Sequence, residues 1–519
     1  MQTAPNILPA TIFVAKEQSP VCDKPDLIVD CGDLPATARE LRELLAQSGY
    51  LFDRGVPVKV VPSPDGSPPI AIRLTAHRVV VEAHRLCRPI KQGSDELVSV
   101  TLPNRVARMY LEMDGEWGLP PLAGISTAPL LSSDGSVRAA EGYDHATSLW
   151  CANVPSLRIA GQPTLAEAEA ALRLLRETFR TFPFADAVRR IELEPGVELV
   201  GLDVSPGMDE SSFLVGLLTA ICRPSLRLAP GMVVRAPEIS GAGTGKGLLV
   251  RSTCAIAFGV QPRAFTKGGD RQELDKRLAS ELIEAAPILF LDNVNGTMLR
   301  SDTLASVLTE RPARVRPLGR TQMVGLNSTA FIAVTGNGLS VSEDLARRFI
   351  VCEFDAQCED PEQRKFEADF IGEIERRRAE LLAAALTIWR WGRQNAADLR
   401  PGRPLGSFEQ WAEWCRDPLL ALGCRDPIDR IEKIKSDDPH RRQIAELFEA
   451  WNAHHGQRLV KAAALAEPVR ALLDPQGRGR QHVAARLVQL TSTRAGGFVL
   501  TRQEAVGRWG AATYALRRG

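Results

Sequence analysis

The segment Ser240-Gly241-Ala242-Gly243-Thr244-Gly245-Lys246-Gly247-Leu248 combines residue types that bind phosphate. Glycines let a backbone wrap an oxyanion with its amides pointing inward, and a helix N-terminus behind the loop adds more amides. A lysine closing such a loop reaches the β- and γ-phosphates of a nucleotide. Farther on, the apolar run Ile288 to Leu291 ends in a carboxylate, Asp292, which a magnesium-nucleotide complex requires. Together the two segments predict ATP and Mg2+ as ligands. Residues Gly241 to Leu248 would surround the phosphates, Lys246 would contact them and Asp292 would hold the metal.

Two positions depart from the usual pattern G-x-x-x-x-G-K-[S/T] and its partner segment. Ser240 holds the place of the first glycine, and Gly247 replaces the hydroxyl that normally contacts the metal, leaving Mg2+ to Asp292, the phosphates and water. Asn293 stands in the catalytic position where many such sites carry a glutamate base, and an amide cannot accept a proton. Either turnover is slow, or Asp292 serves both roles, or the base lies elsewhere, with Glu273 and Asp275 as candidates.

Three later features fit one class of ATPase. The buried-strand pattern Phe331-Ile-Ala-Val-Thr-Gly-Asn337 ends in an amide. In an additional-strand ATPase that asparagine sits beside the γ-phosphate and positions the attacking water. Glu343-Asp-Leu-Ala-Arg347-Arg348 reads as a short helix with adjacent arginines, either of which could stabilise transition-state charge on a neighbouring subunit's ATP. Between these segments, Arg314-Val-Arg316-Pro-Leu-Gly-Arg320 and the residues to Gly325 read as a hairpin around a tight turn. Arg311, Arg314, Arg316 and Arg320 would give it a sequence-tolerant grip on single-stranded backbone.

The elements that must position these residues follow from periodicity. Residues about 191–395 run helix (Ser211 to Ile221), strand, phosphate loop, helix, strand, helix (Arg271 to Glu284), the Asp292 strand, helix (Thr303 to Leu308), hairpin and strand. Such alternation predicts an α/β domain with a parallel sheet and helices on both faces. Residues 1–190 read as an N-terminal α+β accessory domain. It has strands at Tyr50 to Phe52, Val56 to Val61, Ile70 to Leu74 and Arg78 to Val81, and a helix from Leu165 with Thr164 and Glu167 as a capping box. Residues 396–437 form a helical connector. In 438–519, helices at Arg441 to Ala453, Ala462 to Leu473 and Gly479 to Leu490 precede strands at Phe498 to Thr501 and Thr513 to Leu516, predicting a winged helix-turn-helix. Its arginines, among them Arg480, Arg486, Arg494 and Arg508, would contact duplex DNA phosphates.

Composition bounds the rest. At 519 residues, 44% apolar and 24% charged, the chain has the make-up of an ordinary globular protein of several domains. A net charge of +1 means that any nucleic-acid surface is local. Ten cysteines include no C-x-x-C pair, and His84 with Cys87 lacks a second ligand pair for zinc. No secretory pattern or membrane-length apolar run is evident, so a soluble cytoplasmic protein with no membrane partner is expected.

The segments Gly-Ala-Gly-Thr-Gly-Lys-Gly-Leu-Leu, Phe-Leu-Asp-Asn-Val, Ala-Val-Thr-Gly-Asn and Asp-Leu-Ala-Arg-Arg, in that order, resemble the AAA+ modules of phage, plasmid and integrative-element helicases and primase-helicases. These are similar to superfamily 3 and minichromosome-maintenance helicases. Leu119 to Thr127 with Ala140 to Asp144 also resembles the collar preceding the ATPase in that family. The resemblance covers roughly residues 100–430. It implies a ring, expected as a homo-hexamer, that unwinds DNA during replication of a mobile element. Lys246, Asp292 and Asn337 would act in cis, and Arg347 or Arg348 in trans. The rival expectation is a DNA-bound ATP switch, a regulatory or defence ATPase that does not unwind.

Overall fold

The computed structural model describes residues 24–62, 68–93, 96–187, 190–194, 197–266, 271–317, 322–364, 369–431, 439–504 and 511–518. The chain divides into two compact units. One comprises residues 1–59 with 73–120, the other residues 60–72 with 121–519.

In the first unit, strand β1 (Asp26–Ile28) pairs in parallel with β2 (Arg88–Gln92), which pairs antiparallel with β3 (Leu97–Ser99). Helices α1 (Leu34–Ala46), α2 (Ala76–Leu86) and α3 (Asn104–Leu111) bury Leu41, Leu45, Val79, Ala83, Val106 and Tyr110 in one core. The expected strand at Arg78 to Val81 is instead the middle of α2. Thr75 caps that helix by accepting from the Arg78 amide at 3.3 Å. Burial of Val79 and Ala83, four residues apart on one helical face, overrides the strand preference of three consecutive valines. His84 and Cys87 have separate partners: His84 Nε2 accepts from the Leu102 amide at 3.2 Å, and Cys87 Sγ donates to the Ala83 carbonyl at 3.1 Å.

The second unit is mixed α/β with a parallel sheet at its centre. Helix α4 (Leu165–Thr178) carries the expected capping box, and α5 (Met208–Cys222) is buried from Asp209 onward. The sheet strands are β4 (Gly231–Ala236), β5 (Ala264–Phe265), β6 (Ile288–Leu291), β9 (Phe331–Asn337) and β10 (Phe349–Glu353). Helices α6 (Lys246–Phe258) and α7 (Arg271–Ile283) lie between the first of these in sequence. Helix α8 (Asp302–Thr309) and the hairpin β7 (Ala313–Val315) and β8 (Val324–Leu326) separate β6 from β9. The short helix α9 (Glu343–Ala346) precedes β10.

Across the sheet the order is β5-β6-β9-β4-β10, all parallel. Strand β9, late in sequence, therefore sits between β4 and β6. The register pairs Ala236 with Asn337 and Leu291 with Val334, so β4, β6 and β9 end along one edge. Their side chains are buried almost throughout, as expected of a parallel sheet covered on both faces. Helices α5, α6 and α11 (Arg378–Gln394, following α10 at Phe370–Arg376) share this core, including Leu217, Leu249, Phe290 and Trp389.

Buried charges on α5 are paired. Glu210 accepts from Arg176 at 2.7 Å, and Asp209 is held by Arg430. Farther on are α12 (Pro439–His455), α13 (Glu467–Leu473) and α14 (Arg480–Leu490). They pack with a four-stranded sheet made of β11 (Val460–Lys461), β12 (Arg494–Ala495), β13 (Phe498–Gln503) and β14 (Thr513–Arg518) around Phe448, Trp451, Val469, Leu487 and Leu500. The helix expected from Ala462 begins only at Glu467, after a short 3-10 turn at Ala462–Ala464. Pro468 lacks an amide hydrogen and fits only the first turn of a helix, so no helix runs through it. Among the described residues no helix is long and apolar enough to cross a membrane.

Candidate nucleotide site

The glycine-rich segment links β4 to α6. Gly243 and Gly245 take φ of +70° and +89°, a left-handed conformation open to glycine at little cost. A Cβ on Gly241 would lie 2.1 Å from the Pro237 carbonyl oxygen and 2.6 Å from Asn337 Oδ1, so the first part of the loop is pressed against the end of β9. A Cβ on Gly243 would meet the Glu362 backbone at 2.7 Å. Gly245 is the N-cap of α6 and supplies no side-chain cap, leaving the amides at that helix start without a side-chain acceptor. Ala242 is exposed at the bend, and Leu248 is half-buried against the core below.

Lys246 Nζ donates to the Gly241 carbonyl at 2.6 Å and to Thr244 Oγ1 at 3.0 Å. Thr244 is fully buried, and its hydroxyl donates to the same carbonyl at 2.9 Å, closing the loop on itself. Burial lowers the lysine to about 8, with Asp292 acting in the opposite direction. A partly desolvated cation folded back over the glycine-rich loop is placed to receive an anion.

Asp292 follows β6, with its amide donating to the Phe265 carbonyl at 3.0 Å. Its Oδ1 accepts from the Thr335 hydroxyl and, at 3.0 Å, from the Asn293 amide. Its Oδ2 faces Gly247, where a Cβ would be 3.8 Å away. Asn293 is exposed with φ +60°, a conformation that asparagine tolerates better than most residues. The Asn295 side chain accepts from the Asn337 amide at 2.8 Å, and the Gly296 amide donates to the Asn337 carbonyl at 2.8 Å. Asn337 Oδ1 is buried with no hydrogen-bond partner among the described residues. An unsatisfied acceptor buried beside a phosphate loop can orient a water or a hydroxyl.

The sequence-derived residues thus fall into two groups. Gly241 to Leu248, Asp292, Asn293 and Asn337 meet at one edge of the sheet. The loop, the lysine, the carboxylate and the orphan amide oxygen fit a nucleotide's phosphates with Mg2+, and Asp292 is the residue that would hold the metal. Glu273 pairs with Arg277 at 3.3 Å, and Asp275 accepts from Ser301 Oγ at 2.9 Å. Thr335 escaped the sequence reading. Its signal was its place two residues before Asn337, on the same face of the strand.

The arginines lie elsewhere. Arg347 is exposed just after α9 and has no ion-pair partner among the described residues, whereas Arg348 is half-buried and paired with Asp344. Arg314 projects from the exposed face of β7, between buried Ala313 and Val315, and exposed Arg316 follows the strand's end. Arg320 lies outside the described residues. Arg311 differs from the expected grip, because its guanidinium donates to the Leu226 and Arg227 carbonyls, each at 3.1 Å. In the C-terminal part, Arg480 joins Lys461 and Arg502 around a groove of about 490 Å³, which Arg486 and Arg494 do not line. Arg508 lies outside the described residues.

No protein-family model matches the chain, and no curated protein does. Among solved structures it is similar to an apo form of the NrS-1 C-terminal region, at 13% identity and a TM-score of 0.36, over 82% of this chain and 93% of that one. It is also similar to the SCCmec type IV Cch active helicase, at 12% identity and a TM-score of 0.31, over 91% and 98% of the two chains. At these scores the overlap assigns neither fold nor residue roles.

Proposed function

We propose that this chain is an ATP-hydrolysing motor that separates DNA strands, or loads such a motor, within the replication module of a mobile element. Residues 191–395 would be its AAA+ core, residues 1–190 an accessory and collar region, 396–437 a connector and 438–519 a winged helix. One observation carries the ATPase assignment: the insertion of β9 between β4 and β6 sets the Asn337 amide oxygen against the phosphate loop while Asp292 faces Gly247.

In this account Lys246 and the amides of residues 241–248 bind the phosphates, and Asn337 orients the attacking water. Mg2+ held by Asp292 would neutralise charge on the β- and γ-phosphates when bound. Thr335 positions Asp292. Arg347, exposed and without an ion-pair partner among the described residues, is the better candidate to reach a neighbouring subunit's ATP, because Arg348 is occupied by Asp344. That role entails a ring, which the family resemblance suggests is a hexamer. Arg314, Arg316 and Arg320 would grip single-stranded backbone in its pore, and Arg480, Arg486, Arg494 and Arg508 would contact duplex phosphates.

The test is strand separation of a forked duplex by the purified chain with ATP and Mg2+, alongside particle size with and without nucleotide. Lys246→Ala should abolish unwinding and weaken ATP binding by roughly tenfold to a hundredfold, the worth of a charge-assisted contact. Normal turnover in that variant would overturn the assignment. The Asn293 amide favours a second reading, a slow ATP switch on DNA. The switch predicts ATP-dependent assembly with no strand separation.

A further inference from the structure

We infer that Glu238 is the general base that replaces the carboxylate missing at Asn293. The inference rests on the ATPase reading above and deepens it. Glu238 lies between the end of β4 and the glycine-rich loop, and it is exposed. Its side chain occupies a notch formed by two glycines from different segments. A Cβ on Gly338, which has φ +58°, would lie 2.9 Å from Glu238 Cβ and 3.2 Å from its Oε2. A Cβ on Gly296, which has φ +56°, would lie 3.3 Å from Glu238 Oε1. Any side chain at position 338 would displace this glutamate, so the space it fills depends on that residue having none.

The notch adjoins the polar end of β9. Gly338 follows Asn337 directly, its amide donates to the Ala236 carbonyl at 2.9 Å, and the Gly296 amide donates to the Asn337 carbonyl at 2.8 Å. The Glu238 carboxylate therefore borders the same turn that presents the orphan Asn337 amide oxygen to Gly241. Glu238 itself has no ion pair or hydrogen bond among the described residues, so its lone pairs are open. Other acids named for this role are engaged. Asp292 accepts from Thr335 and the Asn293 amide, Glu273 pairs with Arg277, and Asp275 accepts from Ser301.

In the reaction, a water held by Asn337 attacks the γ-phosphorus. A bond forms between the water oxygen and phosphorus, the bond to the β–γ bridging oxygen breaks with its electron pair leaving on ADP, and the water's proton passes to the Glu238 carboxylate. Exposure of the carboxylate lets it return the proton to solvent.

The experiment compares the wild-type 519-residue chain with Glu238→Gln, Glu238→Asp, Glu273→Gln and Lys246→Ala, measuring binding of a fluorescent ATP analogue and single-turnover hydrolysis. Glu238→Gln should bind ATP within about twofold of the wild type yet hydrolyse it about a hundredfold more slowly, the usual worth of a positioned base. It should also lose the acidic limb of the pH–rate profile. Glu238→Asp should retain partial turnover, Glu273→Gln should behave as wild type, and Lys246→Ala should bind ATP roughly tenfold to a hundredfold more weakly. Hydrolysis by Glu238→Gln within threefold of the wild type, or loss in Glu273→Gln instead, would overturn the assignment and leave the ATPase reading standing. A wild type that binds ATP without hydrolysing it would overturn the base and the motor while sparing the nucleotide site. A wild type that does not bind ATP would overturn both readings.

Discussion

Gly247 and Asp292 face each other across the gap between α6 and the end of β6: a Cβ on the glycine would stand 3.8 Å from Asp292 Oδ2, an ordinary contact. The helix thus has room for the hydroxyl that most such loops carry. Gly247→Ser should fold normally, since serine also suits a helix better than glycine does. The added oxygen should lower the Mg2+ concentration for half-maximal ATP turnover by roughly tenfold, the scale on which groups around a metal tune its binding. A magnesium titration of ATPase rate checks this, and an unchanged midpoint would count against Asp292 as the metal ligand.

Thr335 is almost fully buried and donates its hydroxyl to Asp292 Oδ1. Thr335→Val keeps the shape and removes the donor. The carboxylate would then keep only the Asn293 amide on that oxygen, and its orientation would loosen. Turnover should drop by roughly tenfold to a hundredfold, as for other residues that orient metal ligands. Thermal unfolding should show a loss of about 1.5–3 kcal/mol, the cost of one deleted hydrogen bond to a charged group. Much larger destabilisation would mean that the residue is chiefly structural.

Arg347 and Arg348 are neighbours with different surroundings. Arg347→Ala should lower kcat by about a thousandfold with ATP affinity intact, as expected of an arginine acting across a subunit boundary. Arg348→Ala removes an ion pair to Asp344 four residues earlier, costing about 0.3–0.5 kcal/mol of stability. Its effect on kcat should be small. Mixing Arg347→Ala with Lys246→Ala should restore some activity if the arginine works in trans, because some mixed interfaces then hold an intact lysine and an intact arginine. ATPase assays of the mixtures at fixed total protein would decide the point.

Burial lowers Lys246 to about 8, and a bound phosphate would favour its charged form. Binding should therefore take up a proton once the pH exceeds the lysine's free value. Below that value the ammonium is already formed and affinity is flat. Above it, neutralisation competes with binding and affinity falls. With the lysine at about 8, only about one site in ten stays charged at pH 9, which predicts an ATP affinity roughly tenfold weaker than at pH 7. Calorimetry in buffers of different ionisation enthalpy measures the proton uptake directly, and a pH-independent affinity would exclude the lysine from the contact.

Much of this molecule is determined by local sequence. The glycine-rich loop, the α/β alternation, Asp292 after a buried strand and Asn337 after another are patterns within a few residues, where glycine conformations and burial period dictate structure directly. The three helices and terminal strands of residues 439–518 were legible for the same reason. Two elements misled it: the valines of Arg78 to Val81 favour a strand until a core forms against one helical face, and Pro468 delays a helix expected from Ala462.

Only the tertiary structure decided the relationships across the sheet. Strand order cannot be read from alternation, because parallel strands obey the same local pattern whatever their neighbours. Inserting β9 beside β4 brings Asn337 to Gly241, and pairing β9 with β6 brings Thr335 to Asp292. The same convergence sets Glu238 between Gly296 and Gly338. These contacts join residues far apart in the chain, and the packing that creates them leaves no signature at any single position.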